Sequence, residues 1–177
     1  MSKAYLNPYN HSMNYVSSYN SPLGKVTLAS DGVSLVGLWF KGQKFFASSL
    51  SDTCSEEELP IFDETIKWLD TYFSGNKPNF TPRILMSGNH FRKSIWNIFL
   101  TIPYGQTVTY GEIASEYAIE NGISKMSAQA VGGAIAHNTV SIIIPCHRVV
   151  GASGNLTGYA GGIERKRKLL NIEGLEI

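Results

Sequence analysis

Residues 109–136 read TYGEIASEYAIENGISKMSAQAVGGAIA and predict two short helices joined by a tight turn. Thr109 followed by Glu112 is a capping-box pattern, which marks the start of the first helix, and residues 121–122 (NG) end it. A second helix follows over residues 128–136. This pair is typical of a helix-turn-helix, so the C-terminal half is expected to be mostly helical.

The second of these helices has unusually small side chains. Gly132 and Gly133 are adjacent in its interior, and most of the other positions are alanine. Each glycine destabilises a helix by roughly 1 kcal/mol relative to alanine, so something requires a thin surface there. Two explanations stay open, namely close packing against the core and close approach of a ligand such as a DNA groove.

The N-terminal half predicts strands followed by one helix. Runs rich in valine, tyrosine, leucine and tryptophan cover residues 14–20, 25–30 and 33–40, with turn sequences between them. A helix is predicted over residues 60–74, with one apolar stripe made by Phe62, Ile66, Leu69 and Phe73. Residues 76–90 contain two prolines and no periodicity, which predicts a linker over the surface. The fold class is therefore α+β.

Composition and charge narrow the class of protein. The 177-residue chain is 43% hydrophobic and 16% charged, which is typical of a globular protein. Its formal net charge of +1 is low for a nucleic-acid binder, but the basic excess falls on residues 91–177. Much of it lies in residues 165–168 (RKRK), which either form a solvated helix face or contact phosphate. Residues 1–12 lack the features of a signal peptide and no apolar stretch spans a bilayer, so a cytoplasmic protein is expected.

The two cysteines differ in their surroundings. Cys54 lies in a polar stretch and is expected in a loop, whereas Cys146 follows a buried, strand-like run at residues 141–144. Cys146 is therefore either a small buried hydrophobic residue or a positioned nucleophile. His147 beside it favours thiolate activation, but neighbouring side chains in an extended stretch point to opposite sides. A water would have to carry the proton, and His147 would need an orienting acceptor from elsewhere in the chain.

Residues 144–149 (IPCHRV) resemble the active-site signature of the O6-alkylguanine-DNA alkyltransferases, also called methylated-DNA–protein-cysteine methyltransferases. Further motifs of this family occur in its order and spacing: residues 103–105 (PYG), 109–112 (TYGE), 130–134 (AVGGA), Asn138, 158–162 (GYAGG), 169–170 (LL) and 173–174 (EG). The likeness is strong over residues 91–177 and looser over residues 14–90. It implies a ribonuclease-H-like N-terminal domain over residues 1–90 and a DNA-binding, alkyl-transferring domain over residues 91–177.

The resemblance also implies a set of catalytic residues. Cys146 accepts the alkyl group from O6-alkylguanine, and from O4-alkylthymine as well, in a single irreversible turnover. His147 removes the thiol proton through a water, and Glu173 orients the imidazole. Tyr110 donates a proton toward the guanine ring. Asn138 braces the turn between the second helix of the pair and Cys146.

The implied partner is double-stranded DNA that carries the alkylated base. The helix over residues 128–136 enters the minor groove while the damaged nucleotide is flipped out. The residues implied in these contacts, on the DNA backbone, in the groove or around the base, are Arg92, Ser124, Ala128, Gln129, Gly132, Val149, Tyr159 and Ala160. Gln129 departs from the family, because an arginine commonly stands there as the wedge in the base stack.

No cofactor is implied, and the chain is expected to act as a monomer. The zinc site of some family members is expected to be absent, since Cys54, His11 and His90 are far apart in sequence. His137 is interpreted as a capping or surface residue. Two other classes remain as alternatives, a non-catalytic lesion sensor and a cysteine hydrolase. Sensors of this family carry tryptophan in place of Cys146, and a hydrolase needs no thin helix.

Overall fold

The computed structural model describes residues 14–50 and 54–177, so the expectations for residues 1–12, His11 included, lie outside it. Its elements follow in chain order: β1 (Asn14–Ser21), β2 (Gly24–Ser30), β3 (Leu35–Phe40), β4 (Cys54–Glu56), α1 (Pro60–Phe73), α2 (His90–Thr101), β5 (Val108–Thr109), α3 (Tyr110–Glu120), α4 (Ala128–Ala136), a 3₁₀ turn (Cys146–Arg148), β6 (Val149–Val150) and α5 (Ile163–Ile172). This is the predicted α+β class, with the larger sheet in the first half and helices α2–α5 in the second.

The N-terminal sheet has the strand order β3-β2-β1-β4. The three predicted strands are confirmed, and β1 and β2 form an antiparallel hairpin in which Ser21 pairs with Gly24. The third strand begins two residues later than expected, at Leu35. The Asp31 carboxylate accepts hydrogen bonds from the backbone N–H groups of Val33 and Ser34, at 2.9 and 2.7 Å, and holds this segment in a turn.

The expectation that Cys54 lies in a loop was wrong. Cys54 begins β4, which runs parallel to β1 and pairs with it at Asn14. A strand of three residues is too short to show the alternation by which strands are detected in a sequence. It forms because the edge of β1 offers unpaired backbone groups.

Helix α1 begins at Pro60, which suits the first turn because its missing N–H needs no partner there. Its buried face differs from the predicted stripe, since Ile66 and Phe73 are only half-buried. The fully buried side chains include Thr65, Trp68 and Tyr72. The face is turned because Tyr72 reaches a polar group inside the protein, which a count of apolar residues cannot detect.

The two halves of the chain share one hydrophobic core. Strand β3 connects them: Leu35 exchanges backbone hydrogen bonds with residues 83 and 85 of the linker, at 2.8 and 2.9 Å, and Leu38 does so with residues 139 and 141. The linker therefore pairs with the sheet instead of only covering the surface. The boundary at residue 90 stays a prediction.

The helical half follows its local signals closely. Thr109 and Glu112 form the complete capping box of α3, and Ser127 caps α4 at the predicted bounds. Trp96 of α2 donates from its indole Nε1 to the Ala134 carbonyl at 2.9 Å, which fixes α4 against α2. Within the described ranges, no helix has the length and apolar character needed to cross a membrane.

Candidate active site

Cys146 lies in a buried turn, where a strand-like run was expected. Residues 141–144 are buried but form turns, and Ile142 adopts a φ of 71°. A positive φ at a β-branched residue costs about 1–3 kcal/mol and persists only where the surroundings impose it. These buried, β-branched residues predicted a strand. Instead, hydrogen bonds from a buried side chain turn the backbone.

Asn138 supplies those hydrogen bonds. Its Oδ1 accepts from the Val140 N–H at 3.0 Å, and its Nδ2 donates to the Ile144 carbonyl at 2.9 Å. The same Nδ2 lies 3.1 Å from the Cys146 sulfur. One buried amide therefore contacts both the turn and the thiol, and Asn138 is the residue that the family resemblance implies as a brace.

The Cys146 side chain is almost completely enclosed, with 1% of its surface exposed. Burial raises the pKa of the thiol to about 11, although Asn138, the charge on Lys166 and nearby backbone N–H groups act in the opposite direction. At neutral pH the resting sulfur is thus a protonated thiol. A reaction at this sulfur has to include removal of its proton.

His147 and Glu173 are brought together as the sequence predicted. The His147 Nε2 lies 2.6 Å from Glu173 Oε1, and both side chains are fully buried. Burial lowers the pKa of His147 despite the adjacent carboxylate, so the ring is neutral, with its proton on Nε2 facing Glu173. The other nitrogen, Nδ1, is buried and has no hydrogen-bond partner among residues 14–50 and 54–177.

His147 and Cys146 lie in a 3₁₀ turn, and His147 still makes no direct hydrogen bond to the Cys146 sulfur. The two residues do not lie in an extended stretch, so alternation does not separate them. Nevertheless, within the part of the chain that the structure describes, no hydrogen bond joins the imidazole to the sulfur. Asn138 is the side chain that contacts it.

Glu173, at the end of α5, is fixed by residues that sequence reasoning missed. Tyr72 donates its hydroxyl proton to Oε1 at 2.8 Å, and the Gly105 N–H donates to Oε2 at 3.0 Å. Burial alone would raise the pKa of Glu173, but hydrogen bonds from His147 and Arg148, together with the charge of Arg148, hold it at about 2. The carboxylate is therefore ionised, and its position is set by both halves of the chain.

Arg148 is the cation that faces this carboxylate. Its Nε donates to Oε2 at 2.8 Å, one terminal nitrogen to Oε1 at 3.1 Å and the other to the Ile102 carbonyl at 2.7 Å. The guanidinium also lies 5.7 Å from the centre of the Tyr104 ring. The sequence held one signal for this role, because an arginine within an apolar run is rarely buried without an acidic partner.

The basic run at residues 165–168 is not a uniform solvated face. Lys166 is fully buried, and its Nζ donates to the carbonyls of Val149 and Thr157. Burial lowers the pKa of Lys166 to about 8, and the neighbouring Cys146 acts in the opposite direction. Arg165 donates to the Leu23 and Gly161 carbonyls, so two of the four side chains are used inside the protein.

Tyr110 lies at the start of α3, beside Lys166. Its hydroxyl donates to the Thr157 carbonyl at 2.9 Å, and the Lys166 Nζ lies 6.0 Å from its ring centre. Burial raises the pKa of Tyr110, and the Cys146 sulfur adds to the rise. A Cβ at Gly158 would lie 2.4 Å from the Tyr110 oxygen, so glycine is needed at this approach.

The residues expected around the base also lie close to Cys146. Tyr159 is buried and meets the His147 ring edge to face, with centroids 6.5 Å apart. Val149 pairs with Val108 between β6 and β5, and Ala160 accepts a hydrogen bond from the Lys44 N–H at 3.1 Å. The structure therefore gathers the expected catalytic residues and the base-contacting residues in one region.

The residues expected to contact DNA are instead on exposed surface. Ser124, Ala128 and Gln129 are exposed, and Arg92 is half-buried on α2. Among the described residues, no side-chain hydrogen bond or ion pair links Arg92 or Gln129 to the Cys146 region. Ala128 and Gly132 share one face of α4 because they are one turn apart.

The geometry of α4 bears on its two adjacent glycines. A Cβ at Gly133 would meet nothing within 4 Å, and one at Gly132 would lie 3.8 Å from Tyr110, an ordinary contact. Close packing inside the protein therefore does not require glycine at either position. Of the two explanations left open by the sequence, the approach of a ligand is favoured.

His137 and His90, the other histidines that the structure describes, lie outside the site. His137 ends α4 as a cap, with its Nδ1 2.8 Å from the Gly133 carbonyl, and His90 is exposed at the start of α2. Across residues 14–50 and 54–177, no group of three or more histidine, cysteine, aspartate or glutamate side chains is arranged to hold a metal ion.

Two family models cover nearly the whole chain. Residues 14–85 match the 6-O-methylguanine DNA methyltransferase, ribonuclease-like domain, and residues 90–175 match the DNA binding domain of the same enzyme. A methylated-DNA–protein-cysteine methyltransferase of Mycobacterium tuberculosis is 42% identical over 154 residues, 87% of this chain and 88% of the relative. One of Methanosarcina acetivorans is 40% identical over 90% of this chain and 98% of its own length.

Solved structures agree with these relatives. The Mycobacterium tuberculosis OGT in complex with DNA superposes with a TM-score of 0.78 at 39% identity, covering 90% of this chain and 92% of that one. The O6-methylguanine methyltransferase of the same organism gives a TM-score of 0.75 at 40% identity, covering 91% and 93%. By sequence and by fold, the chain belongs to the family of methylated-DNA–protein-cysteine methyltransferases.

Proposed function

We propose that this protein repairs DNA by moving the alkyl group of O6-alkylguanine onto the sulfur of Cys146. The family membership supports this assignment. The observation that carries it is the arrangement around the sulfur: a buried thiol held by Asn138, next to a neutral His147 whose Nε2 is fixed by Glu173. The same chemistry applies to O4-alkylthymine.

The protonation states of Cys146, His147 and Glu173 support a thiolate that forms only during the reaction. The thiol is protonated at rest because its pKa is raised to about 11. The unprotonated Nδ1 of His147 is the available base, and a water between the two groups carries the proton. Glu173 remains ionised and stabilises the imidazolium that forms, in the way a buried carboxylate supports the histidine of a catalytic triad.

Alkyl transfer then follows in one displacement. A bond forms between the Cys146 sulfur and the alkyl carbon, the bond from that carbon to O6 breaks, and its electron pair stays with guanine. Tyr110 donates its hydroxyl proton toward the guanine ring, which makes guanine a better leaving group. In the resting protein this hydroxyl donates to the Thr157 carbonyl, so it exchanges that acceptor for the base.

The DNA is held by a different surface. Helix α4 enters the minor groove with Ala128 and Gly132 against the duplex, and its lack of bulk permits close approach. Gln129 is the wedge at the vacated base position, while Arg92 and Ser124 contact the DNA backbone. The flipped base is read by backbone groups around Cys146, Val149 and Ala160, with Tyr159 as a wall of the pocket.

The product limits each molecule to one reaction. Transfer gives S-alkylcysteine, a thioether that lacks an easy route to hydrolysis, so the thiol is not regenerated. The reaction needs no cofactor, because a positioned thiolate and an activated carbon suffice. We further propose that the protein acts as a monomer in the cytoplasm on duplex DNA that carries the lesion.

Duplex DNA with a labelled methyl group on O6 of guanine tests the proposal. The expected result is labelling of the protein at one methyl group per molecule, after which the reaction stops. Cys146→Ser should bind the same DNA without becoming labelled. Binding without labelling by the unaltered protein would indicate a lesion sensor, and repeated turnover of a small ester without effect on DNA would indicate a cysteine hydrolase. Either outcome would overturn the proposal.

A further inference from the structure

A short segment of the N-terminal half reaches into the site of the C-terminal half. Residues 40–45, called here the brace segment, begin at the last residue of strand β3. They contact three separate parts of the second half: the turn before Cys146, the Tyr159 region and the end of helix α4. No residue of the brace segment itself carries a role in the proposed function.

Gln43 makes the first of these contacts. It is 5% exposed, and its Oε1 accepts from the Phe40 N–H at 2.9 Å and from the Ser141 hydroxyl at 3.2 Å. Ser141 is itself 1% exposed and also donates its backbone N–H to the Leu38 carbonyl at 2.9 Å. The glutamine therefore anchors the turn that leads into Cys146.

Tyr159, in the pocket wall, is influenced by the same serine. Ser141 opposes the rise in the pKa of Tyr159 that burial causes. The Tyr159 hydroxyl is buried and makes no well-aligned hydrogen bond to a described residue, and the Gln43 Nε2 is also without a partner among them. The Gln43 amide nitrogen is a donor and the Tyr159 oxygen can accept, so these two buried atoms are complementary.

The neighbours of Gln43 support the same wall from a second side. The Lys44 N–H donates to the Ala160 carbonyl at 3.1 Å. A Cβ at Gly161 would lie 2.6 Å from the Tyr159 ring and 3.4 Å from the Phe40 ring, so both rings pack directly on that glycine. Arg165 lies over Phe40 at 4.9 Å and donates to the Gly161 carbonyl. Residues 159–161 are consequently held by the brace segment.

Phe45 makes the third contact, at the end of α4. Its ring stacks on His137 with centroids 4.2 Å apart and an angle of 23° between the planes. Phe45 is 47% exposed and has a φ of 56°, a strained conformation for a phenylalanine. Phe45 thus combines a strained backbone with a stacking contact to His137, the residue that caps the proposed DNA-binding helix.

We infer that Gln43 is a positioning residue for alkyl transfer: it fixes the turn before Cys146 through Ser141 and holds the brace segment against residues 159–161, and thereby aligns bulky alkyl groups with the Cys146 sulfur. This inference rests on the proposed function. A methyl group is small and makes few contacts with a pocket wall, whereas a benzyl group depends on the wall for its alignment. Misplacement by about 1 Å can cost on the order of a hundredfold in rate, so a loosened Tyr159 affects the larger substrate more.

The test compares single-turnover rates on duplex DNA that carries O6-benzylguanine or O6-methylguanine. Gln43→Met keeps the length of the side chain and removes the acceptor, and we expect the ratio of benzyl to methyl rates to fall about tenfold. Ser141→Ala should lower the ratio similarly. The double variant should show no further fall, because both changes break the same connection.

Thr65→Val is the matched control. Thr65 is a fully buried polar residue of α1 whose hydroxyl donates to the Ile61 carbonyl at 2.7 Å, away from the brace segment. We expect it to lower the melting temperature while leaving the rate ratio unchanged. An unchanged ratio in Gln43→Met, or the same fall in Thr65→Val, would overturn the inference. Failure of the unaltered protein to accept methyl would instead overturn the proposed function.

Discussion

The buried group around Glu173 and the exposed face of α4 are built in opposite ways. Glu173 receives hydrogen bonds from His147, Tyr72, Arg148 and the backbone of Gly105, so each atom of its carboxylate is fixed. The face of α4 is defined by its small side chains, since glycine and alanine occupy it and, among the residues that the structure describes, no packing contact requires the two glycines. The first region orients groups for chemistry, while the second leaves space for a partner. Substitutions should therefore affect transfer in one region and DNA binding in the other.

The largest effect is expected at His147. His147→Gln removes the unprotonated ring nitrogen proposed as the base, and general-base catalysis of this kind contributes about 10²- to 10⁴-fold. We expect single-turnover methyl transfer to fall by that factor while the affinity for lesion-bearing duplex stays unchanged. A rate within about threefold of the unaltered protein would show that another group removes the proton.

A large effect on stability is expected from the ionisation of Glu173. Because its pKa is about 2 in the folded protein and 4.5 for an ordinary glutamate, the folded state favours the ionised form. This stabilisation is complete above about pH 4.5 and is lost as the pH falls toward 2. Urea unfolding from pH 6 to 3 should show a loss of about 2 kcal/mol, and the remainder should be lost only as the pH falls to 2 and below. Glu173→Gln should flatten this dependence, and an equally steep loss in that variant would contradict the assignment.

A smaller effect on transfer is expected at Lys166. Its charge lowers the pKa of Cys146, so Lys166→Met should raise that pKa and shift the pH–rate profile for transfer to higher pH. At pH 7 we expect transfer to be about tenfold slower, corresponding to one pKa unit at the sulfur. Lys168→Met, an exposed position in the same basic run, is the control and should keep the original profile. A profile unchanged in both variants would remove Lys166 from the account.

The smallest effect on the protein itself is expected on α4. Gly133→Ala adds a methyl group that, among the described residues, meets no atom within 4 Å beyond its own helix backbone and chain neighbours, so the free energy of unfolding should rise by up to about 1 kcal/mol. The same methyl group should weaken binding to duplex DNA, because it lies on the proposed contact surface. Unchanged DNA affinity in Gly133→Ala would remove the groove-contact explanation of the two glycines.

Local signals in the sequence predicted much of the fold. The capping box at Thr109 and Glu112, the Ser127 cap and the turn at residues 21–24 are each specified within four residues. The IPCHRV motif predicted the place of the site, and its resemblance to a family identified Glu173 as the partner of His147. These features depend on neighbours along the chain or on a known pattern.

The remaining features depend on contacts between distant residues. Tyr72 lies 101 residues from Glu173, and nothing in α1 indicates that its hydroxyl points into the site. Lys166 looks like its exposed neighbours in the sequence, because the carbonyls that it contacts come from separate segments. The turn before Cys146 looked like a strand because its residues are β-branched, and part of what shapes it is distant, since Leu38 of β3 exchanges backbone hydrogen bonds with residues 139 and 141. The other part is local, since the Asn138 amide binds the Ile144 carbonyl six residues away.

The central claim is that the Cys146 sulfur, and no other group, takes the alkyl carbon. The most direct measurement is peptide mass mapping after reaction with an excess of O6-methylguanine duplex. We predict that the peptide containing Cys146 gains the mass of one CH₂ group in every molecule, while the peptide containing the exposed Cys54 stays unchanged. An unmodified Cys146 peptide in protein that has removed the lesion, or methylation found at Cys54, would contradict the account.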